Sequence, residues 1–214
     1  MQNTQRHTIL FIILTLGMMF LLVLNISLGT VSIPFKDVLN SLIGESASKE
    51  TWNYIILNYR LPKAVTAILA GMGLSISGLL MQTLFRNPLA GPYVLGLSSG
   101  SSLGVALVIM GAVFIPALSS SLLLSSYGIV IASCLGSFLV LLAVLFVSQR
   151  LRDTMSILIV GLMFGSFTTA FVGVLTYFSS AEQLQKFTFW SLGNIGNLSW
   201  TSIAILSVAV FIGL

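Results

Sequence analysis

Charged side chains are scarce in this sequence: 7% of its 214 residues are Asp, Glu, Lys or Arg, whereas 57% are hydrophobic. Soluble domains carry about 25% charged residues, so this composition excludes a chain whose surface faces water. The mean hydropathy of +1.07 points the same way. The apolar runs continue for about 20 residues without a two-residue alternation, which favours membrane-spanning helices over barrel strands. The sequence therefore predicts an all-α, polytopic transmembrane helical bundle.

Cysteine and histidine each occur once, as Cys134 and His7. A single cysteine excludes an internal disulfide, and its place in an apolar run predicts a small buried packing residue. A lone histidine cannot build a metal site. The chain also lacks a nucleophile–base pair, a phosphate-binding loop and a dinucleotide-binding glycine motif. We therefore predict that it is not an enzyme, with no catalytic residue, no metal site and no cofactor bound by this chain.

The net charge of +4 does not indicate nucleic-acid binding, because the nine basic residues are scattered between apolar runs without clusters or interleaved aromatics. No ionisable residue lies in the middle of a predicted span, and ion-coupled carriers usually need such buried charges. This absence favours a pathway driven by another subunit.

Six apolar runs predict about six membrane spans within a single domain over residues 1–214. The predicted spans are residues 8–28, 64–85, 93–115, 122–147, 154–178 and 200–214. The last run corresponds to about 22 Å of helix, which is short of a full crossing, so we expect the chain to be cut off there. The polar stretch 29–59 predicts a short amphipathic helix on the membrane surface after Pro34, and residues 181–200 predict an interfacial helix with a glycine turn.

Small residues recur four apart within the predicted spans, a spacing that lets helix backbones approach closely in lipid. The packing positions predicted in this way are Gly71, Ser75, Gly96, Gly100, Gly104, Gly128, Gly136, Gly161 and Gly165. The serines between the glycines of the third span leave a compatible alternative, in which that helix borders a water-filled pathway.

Arg86, Asn87 and Pro88 end the second span, because proline disfavours α geometry at the residue before it and Asn-Pro commonly starts a turn. A cytoplasmic amino terminus would place Arg6, Arg86, Arg150 and Arg152 inside, and Lys36, Lys49, Arg60, Lys63 and Lys186 outside. Four basic residues inside against five outside leave the orientation undetermined by the positive-inside rule. The larger number of basic residues outside suggests an acidic partner on that side.

Motifs throughout the chain resemble those of the FecCD-type permeases, the membrane subunits of bacterial ABC importers for iron–siderophores, haem and vitamin B12. The matching residues are Arg60-Leu61-Pro62, Gly78 with Gln82, Asn87-Pro88-Leu89-Ala90, Leu95-Gly96 with Ser98 and Gly100, and Phe189-Trp190-Ser191-Leu192-Gly193 with Trp200. The resemblance implies a ten-helix permease of the bacterial cytoplasmic (inner) membrane, with its amino terminus and the Arg86–Pro88 turn in the cytoplasm.

The resemblance also implies partners besides membrane lipid: a second permease subunit in a homodimer or heterodimer, two ABC ATPase subunits and an extracytoplasmic substrate-binding protein. Arg60 and Lys63 match residues that face acids on that binding protein; interfacial anchoring is the alternative. Thr154, Met155 and Ser156 match the cytoplasmic gate, with N-capping of the helix by Thr154 or Ser156 as the alternative.

This chain departs from the family at its carboxyl end, where the ATPase-contacting segment and four more helices are expected. It would therefore carry the first of two four-helix repeats plus flanking helices. We expect a permease subunit that forms the pathway of an ATP-driven metal-chelate importer. The alternative is a non-transporting membrane scaffold or an inactive permease fragment, and an intramembrane enzyme lacks any candidate nucleophile–base pair.

Overall fold

The computed structural model describes residues 2–111, 123–151, 153–196 and 198–214. All the regular elements of these ranges are helical, which confirms the predicted all-α class. The α-helices are α1 (Gln2–Ser27), α2 (Phe35–Ile43), α3 (Glu50–Ile55), α4 (Leu61–Phe85), α5 (Leu97–Met110), α6 (Ser126–Ser148), α7 (Thr154–Tyr177), α8 (Ala181–Leu192) and α9 (Trp200–Ile212). A π turn covers Ile56–Arg60, and a 3₁₀ turn covers Pro92–Leu95.

Within the described ranges, four helical stretches are long and apolar enough to cross a membrane: Gln5–Ser27, Glu50–Phe85, Ser126–Ser148 and Met155–Tyr177. Leu97–Met110 and Trp200–Ile212 are apolar but shorter. Each of the six predicted spans overlaps an apolar helix, although residues 112–115 of the third and residue 122 of the fourth lie outside the described residues. The number of complete crossings stays a prediction.

The chain divides into two compact units, of which the first comprises Met1–Gly73 and Asn194–Leu214. Its buried apolar cluster joins the end of α1 to the segment before α4 and contains Ile26, Ile33, Val38, Ile56 and Ala64. Helix α2 follows Pro34 and ends at Gly44, whose φ of 90° suits glycine. Val38 of α2 thus packs in one cluster with Ile26 near the end of α1 and with Ile33 in the segment between the two helices.

Helix α3 continues through the π turn into α4, so helical structure begins at Glu50 rather than at the predicted residue 64. Pro62 explains the π turn, because a proline ring clashes with the carbonyl four residues earlier and lacks an N–H for that carbonyl. Widening the helix by one residue relieves the clash without ending the helix.

The second unit comprises Leu74–Gly193. One buried cluster joins the end of α4 to α6 and α7 through Phe85, Ala90, Leu95, Val140, Val144 and Leu158. The other joins α5 to α7 through Val105, Ala106, Ile109, Met110 and Leu175, with Phe187 and Trp190 of α8 packed against it. Helix α8 begins with a capping box, in which Ser180 and Gln183 exchange hydrogen bonds.

Two details differ from the sequence-based expectation. The helix of the third predicted span begins at Leu97 rather than at residue 93, because Gly96 takes a left-handed φ of 75° that interrupts it. The prediction that Cys134 is buried is wrong: the thiol is exposed on α6. The α6 side facing α5 includes Ala132 and Gly136, and Cys134 lies off that stripe.

Candidate functional site

Helices α5 and α6 of the second unit meet backbone to backbone at their glycines. A Cβ added at Gly100 would lie 2.7 Å from the carbonyl oxygen of Gly136. A Cβ at Gly104 would overlap the carbonyl oxygen of Ala132. Across the same contact, the Ser101 and Ser133 hydroxyls are 2.5 Å apart, and Ser137 donates to the Leu97 carbonyl at 3.0 Å. Small residues therefore hold this helix pair together.

Helix α7 approaches the 3₁₀ turn in the same way. A Cβ at Gly161 would lie 2.8 Å from both Leu95 Cα and the Val94 carbonyl oxygen. A Cβ at Gly96 would lie 2.9 Å from the Gly161 carbonyl oxygen, whereas one at Gly165 would make ordinary contacts at 3.5 Å. The backbone of the 3₁₀ turn is therefore seated against α7.

The remaining predicted packing positions are Gly71, Ser75 and Gly128. Gly71 faces open space, since a Cβ there would have no neighbour within 4 Å, and Ser75 is exposed on the same helix. Gly128 is buried near the start of α6 and donates its N–H to the Ser125 hydroxyl at 3.1 Å.

Two cavities beside α5 have hydroxyl-bearing and aromatic side chains in their walls, together with aliphatic residues and glycines. The first, of about 580 Å³, is lined by Leu74, Ser77, Pro92, Tyr93, Leu97, Ser98, Ser101, Ser102, Ser137, Trp190 and Ser191. The second, of about 560 Å³, is lined by Tyr93, Gly96, Ser99, Gly161, Leu162, Gly165, Ser166, Thr169 and Ala170. None of these described lining residues is charged, so the cavities suit water or a neutral polar surface rather than a bare ion.

The Arg86–Pro88 turn is closed by the motif residue Gln82. Asn87 donates its N–H to the Gln82 carbonyl at 3.1 Å, and Gln82 Nε2 donates to the Pro88 carbonyl at 3.1 Å. Asn87 Oδ1 accepts from the Leu89 N–H at 2.9 Å. Arg86 takes a left-handed φ of 48°, which costs a residue with a Cβ about 1 kcal/mol. The spacing of Gln82 and Asn-Pro thus builds one turn.

A third cavity, of about 430 Å³, lies against this turn. It is lined by Leu74, Gly78, Gln82, Pro88, Leu89, Ala90, Gly91, Pro92 and Tyr93. Sequence reasoning missed Tyr93, which borders all three cavities, because the residue was assigned to the start of an apolar span. The Pro92 and Gly96 on either side were the available signal of a separate turn.

The predicted gate residues lie at the start of α7. Met155 is exposed, and Leu158, one turn further on, packs in the cluster that contains Phe85 and Ala90. The gate positions and the Arg86–Pro88 turn therefore lie at the same end of the second unit. The alternative, that Thr154 or Ser156 caps the helix, is wrong. Asp153 is the N-cap of α7, and its carboxylate accepts from the Ser156 N–H at 3.3 Å.

Arg60 and Lys63, the predicted docking pair, differ in their surroundings. The Arg60 guanidinium donates to the carbonyl oxygens of Ile26 at 2.6 Å, of Ser27 at 2.8 Å and of Val31. It therefore caps the end of α1, where unpaired carbonyls and the helix dipole favour a cation. Lys63 is exposed and makes no ion pair within the described residues.

Other charged side chains near the helix ends have local partners. Lys186 pairs with Glu182 at 2.8 Å and lowers the pKa of that carboxyl by hydrogen bonding. Lys49 lies 4.8 Å from the centre of the Trp52 ring. Asp37 is buried in α2, where hydrogen bonds from the Ser48 hydroxyl and N–H, at 2.5 and 2.7 Å, lower its pKa.

Few metal-ligating side chains lie close together in the described part of the chain. Among the described residues, no group of three or more His, Cys, Asp or Glu side chains could hold a metal ion. The chemistry that the arrangement offers is hydrogen bonding from hydroxyls in cavities between closely packed helices.

The sequence matches the FecCD transport family over residues 17–214. It is 34% identical to the hemin transport system permease protein of Yersinia pestis over 200 residues, covering 93% of this chain and 55% of the relative. It is 34% identical to an iron chelatin transport system permease protein of Helicobacter pylori over 160 residues, covering 74% of this chain and 45% of the relative.

The fold is also similar to that of a metal-chelate type ABC transporter solved in an inward-facing conformation. The TM-score is 0.76 at 27% identity, with 96% of this chain and 59% of that chain covered. The chain thus spans about half the length of the curated relatives it matches. Family membership and several long apolar helices indicate a multi-pass membrane protein. With the family match covering nearly all of its length, the chain belongs to the FecCD transport family.

Proposed function

We propose that this chain forms part of the translocation pathway of an ATP-driven importer for iron–siderophores or related metal chelates, such as haem or vitamin B12. The observation that carries the proposal is the family match over residues 17–214, together with a fold shared with a metal-chelate type ABC transporter. The uncharged, hydroxyl-lined cavities beside α5 support it, because a chelate presents a polar organic surface and conceals its ion.

The membrane proposed is the bacterial cytoplasmic membrane, with the amino terminus and the Arg86–Pro88 turn on the cytoplasmic side. ATP hydrolysis is assigned to separate subunits, and a second permease subunit completes the pathway as a homodimer or heterodimer. The gate proposed for the cytoplasmic side is Thr154, Met155 and Ser156, at the end of the second unit that also carries the turn. We assign no cofactor to this chain.

An extracytoplasmic binding protein delivers the chelate in this proposal, and Lys63 supplies the docking charge. The side chain is exposed and has no ion-pair partner among the described residues, so it is available to a carboxylate of another protein. Arg60 supports the docking surface indirectly, because its guanidinium fixes the end of α1.

Reconstitution tests the proposal directly. The chain is co-expressed with candidate permease, ATPase and binding-protein genes of its own genome, and the purified assembly is placed in proteoliposomes. We expect ATP-dependent uptake of a radiolabelled iron–siderophore or haem, and no uptake with an ATPase subunit that cannot hydrolyse ATP. A stable assembly that lacks any ATPase subunit and takes up none of these chelates would instead favour the scaffold alternative, which gains no support from the comparisons.

A further inference from the structure

Helix α2 carries apolar side chains on the face that points away from the rest of its unit. Phe35 is 56% exposed and Ile43 is 76% exposed, and Leu39 and Leu42 between them are also exposed. Their spacing of four, three and one residues places these four side chains in one stripe along the helix. A helix on the surface of a soluble protein turns such a stripe inward. This outward stripe of α2 therefore calls for an apolar partner outside the unit.

The opposite face of α2 is partly polar and is fixed to the chain. Its buried residues are Asp37, Val38 and Ser41. The Asp37 carboxylate accepts from the Ser48 hydroxyl at 2.5 Å and from the Ser48 N–H at 2.7 Å, while Val38 packs in the cluster that contains Ile26. Rotating α2 to hide its apolar stripe would break both hydrogen bonds and remove Val38 from the cluster. The outward direction of the stripe is thus determined by the fold.

The contact between α2 and α1 places α2 at the edge of a membrane that α1 crosses. The apolar part of α1, Gln5–Ser27, has 23 residues and is about 35 Å long, slightly more than the hydrocarbon thickness of about 30 Å. Ile26 therefore lies close to the hydrocarbon boundary, and Val38 of α2 lies at the same level because it packs in the same cluster. Leu28 and Val31, between the two helices, are also exposed, so exposed apolar surface continues from α1 into α2.

Two tyrosines indicate the same level independently of the length of α1. Tyr54 of α3 and Tyr59 of the π turn are exposed, and their ring centroids lie 5.9 Å apart. Ile56, between them in the sequence, is buried in the cluster that contains Ile26 and Val38. Tyrosine is enriched where a membrane meets water, because its ring is apolar and its hydroxyl is polar. The surroundings of α2 therefore have the character of a membrane–water interface.

We propose that the outward stripe of α2 is buried in the lipid bilayer, at the boundary between the headgroups and the acyl chains. Helix α2 then lies along the membrane surface with Asp37 and Ser41 turned towards the chain. Lys36 is exposed at the edge of the stripe, where its ammonium group can reach a lipid phosphate. This contact sets the depth of the connection between α1 and α2 and involves no transported solute, so it does not depend on the proposed function.

Spin labelling of the full chain tests this contact in vesicles of phosphatidylethanolamine and phosphatidylglycerol. Single cysteines replace Phe35, Leu39 or Ile43 in a Cys134→Ser background, and each cysteine is labelled with a nitroxide. Collision rates are measured with oxygen, which concentrates in lipid, and with a water-soluble nickel chelate. We expect oxygen collisions to dominate at all three positions, with the labels about 5–10 Å inside the headgroup–acyl boundary.

Glu45 and Ser46 provide the matched control positions, because they are exposed, follow α2 directly and lie outside the stripe. The nickel chelate should reach labels at both of them. As a second measurement, Ile43→Asp should move a label at position 39 towards water, since a carboxylate is costly to bury in hydrocarbon. Ser46→Asp adds the same charge outside the stripe and should leave that label at its original depth.

Four other results would each overturn the proposal. Ready access of the nickel chelate to positions 35, 39 and 43 would show that the stripe faces water. Poor access of both reagents, with dipolar line broadening that disappears on dilution with unlabelled chain, would assign the stripe to a second copy of the chain. Poor access without broadening would assign it to another segment of the same chain. An unchanged depth at position 39 in Ile43→Asp would show that the stripe does not set the depth of α2.

Discussion

Arg60 Nη1 donates a hydrogen bond of 2.6 Å to the main-chain carbonyl of Ile26, which lies 34 residues earlier in the chain. The same guanidinium reaches the Ser27 and Val31 carbonyls. Arg60, which the sequence suggested for docking, therefore also holds the end of α1 against the π turn within the first unit.

Arg60→Ala should lower the free energy of unfolding by about 2 kcal/mol, because it leaves the carbonyls at the end of α1 without a charged donor. The free energy of unfolding of Arg60→Lys should lie between those of the wild type and Arg60→Ala, since an ammonium cannot reproduce the planar arrangement of guanidinium donors. Denaturant unfolding in detergent micelles measures both. Lys63→Ala is the control and should stay within about 0.5 kcal/mol of the wild type.

Gly29 provides a second test of the same contact. A Cβ there would lie 2.8 Å from Arg60 Nη2, so Gly29→Ala should also destabilise the chain. The capping of α1 by Arg60 would be refuted if Arg60→Ala and Lys63→Ala unfolded at the same denaturant concentration.

Gly104→Ala should destabilise the α5–α6 pair by about 1–3 kcal/mol, because the added methyl group overlaps the Ala132 carbonyl and forces the helices apart. Gly173→Ala makes the same change on α7 where no atom lies within 4 Å. It should be neutral, or stabilising by up to about 1 kcal/mol through helix propensity. Equal unfolding midpoints for the two variants would argue against the backbone contact.

Asp37→Asn should reduce stability at neutral pH, because the Ser48 hydroxyl and N–H donate to a carboxylate. The pKa of Asp37 is lower in the folded chain than its ordinary value of 3.8. Its contribution is therefore present above that value and is lost as the pH falls through the lower folded pKa. The stability difference between wild type and Asp37→Asn should narrow below about pH 4.

Unfolding profiles recorded from acidic to neutral pH measure this difference. Glu45→Gln, at an exposed carboxylate that makes no ion pair within the described residues, should change stability little at any pH. A stability difference between the wild type and Asp37→Asn that grows as the pH falls would contradict this prediction.

Lys63→Glu should weaken association with the extracytoplasmic binding protein by about tenfold at low salt and should make the remaining association less salt-sensitive. Lys36→Glu makes the same charge change at another exposed lysine and is the control. Binding of the purified binding protein to proteoliposomes, measured over a range of salt concentrations, compares the two. Equal affinities for Lys63→Glu and wild type at low salt would remove Lys63 from the docking surface.

The apolar helices were largely predictable from the sequence. The runs that predicted spans at 8–28, 122–147 and 154–178 correspond to α1, α6 and α7, because hydrophobic length alone specifies such helices. The glycine spacing also pointed to positions such as Gly100 and Gly104, which lie at the backbone contact between α5 and α6. These features depend on composition and period, which the sequence displays directly.

The features that sequence reasoning missed depend on interactions between distant residues. The sequence predicted a polar stretch over residues 29–59 with a short helix after Pro34, whereas the structure continues helix from Glu50 through a π turn that accommodates Pro62. Gly96 matched the packing spacing, so its left-handed φ was not foreseen. The capping of α1 by Arg60 joins residues more than 30 positions apart, which no local pattern encodes.

The π turn at Ile56–Arg60 also sets the rotational phase of the helix that follows it. Deleting one residue from this turn would restore α geometry and rotate the following residues by roughly 100° about the helix axis relative to α3. Arg60 would then point away from the end of α1, and Pro62 would again meet the carbonyl four residues before it. The extra residue acts as a spacer that keeps two helices in register, so we expect this segment to tolerate substitution far better than a change in its length.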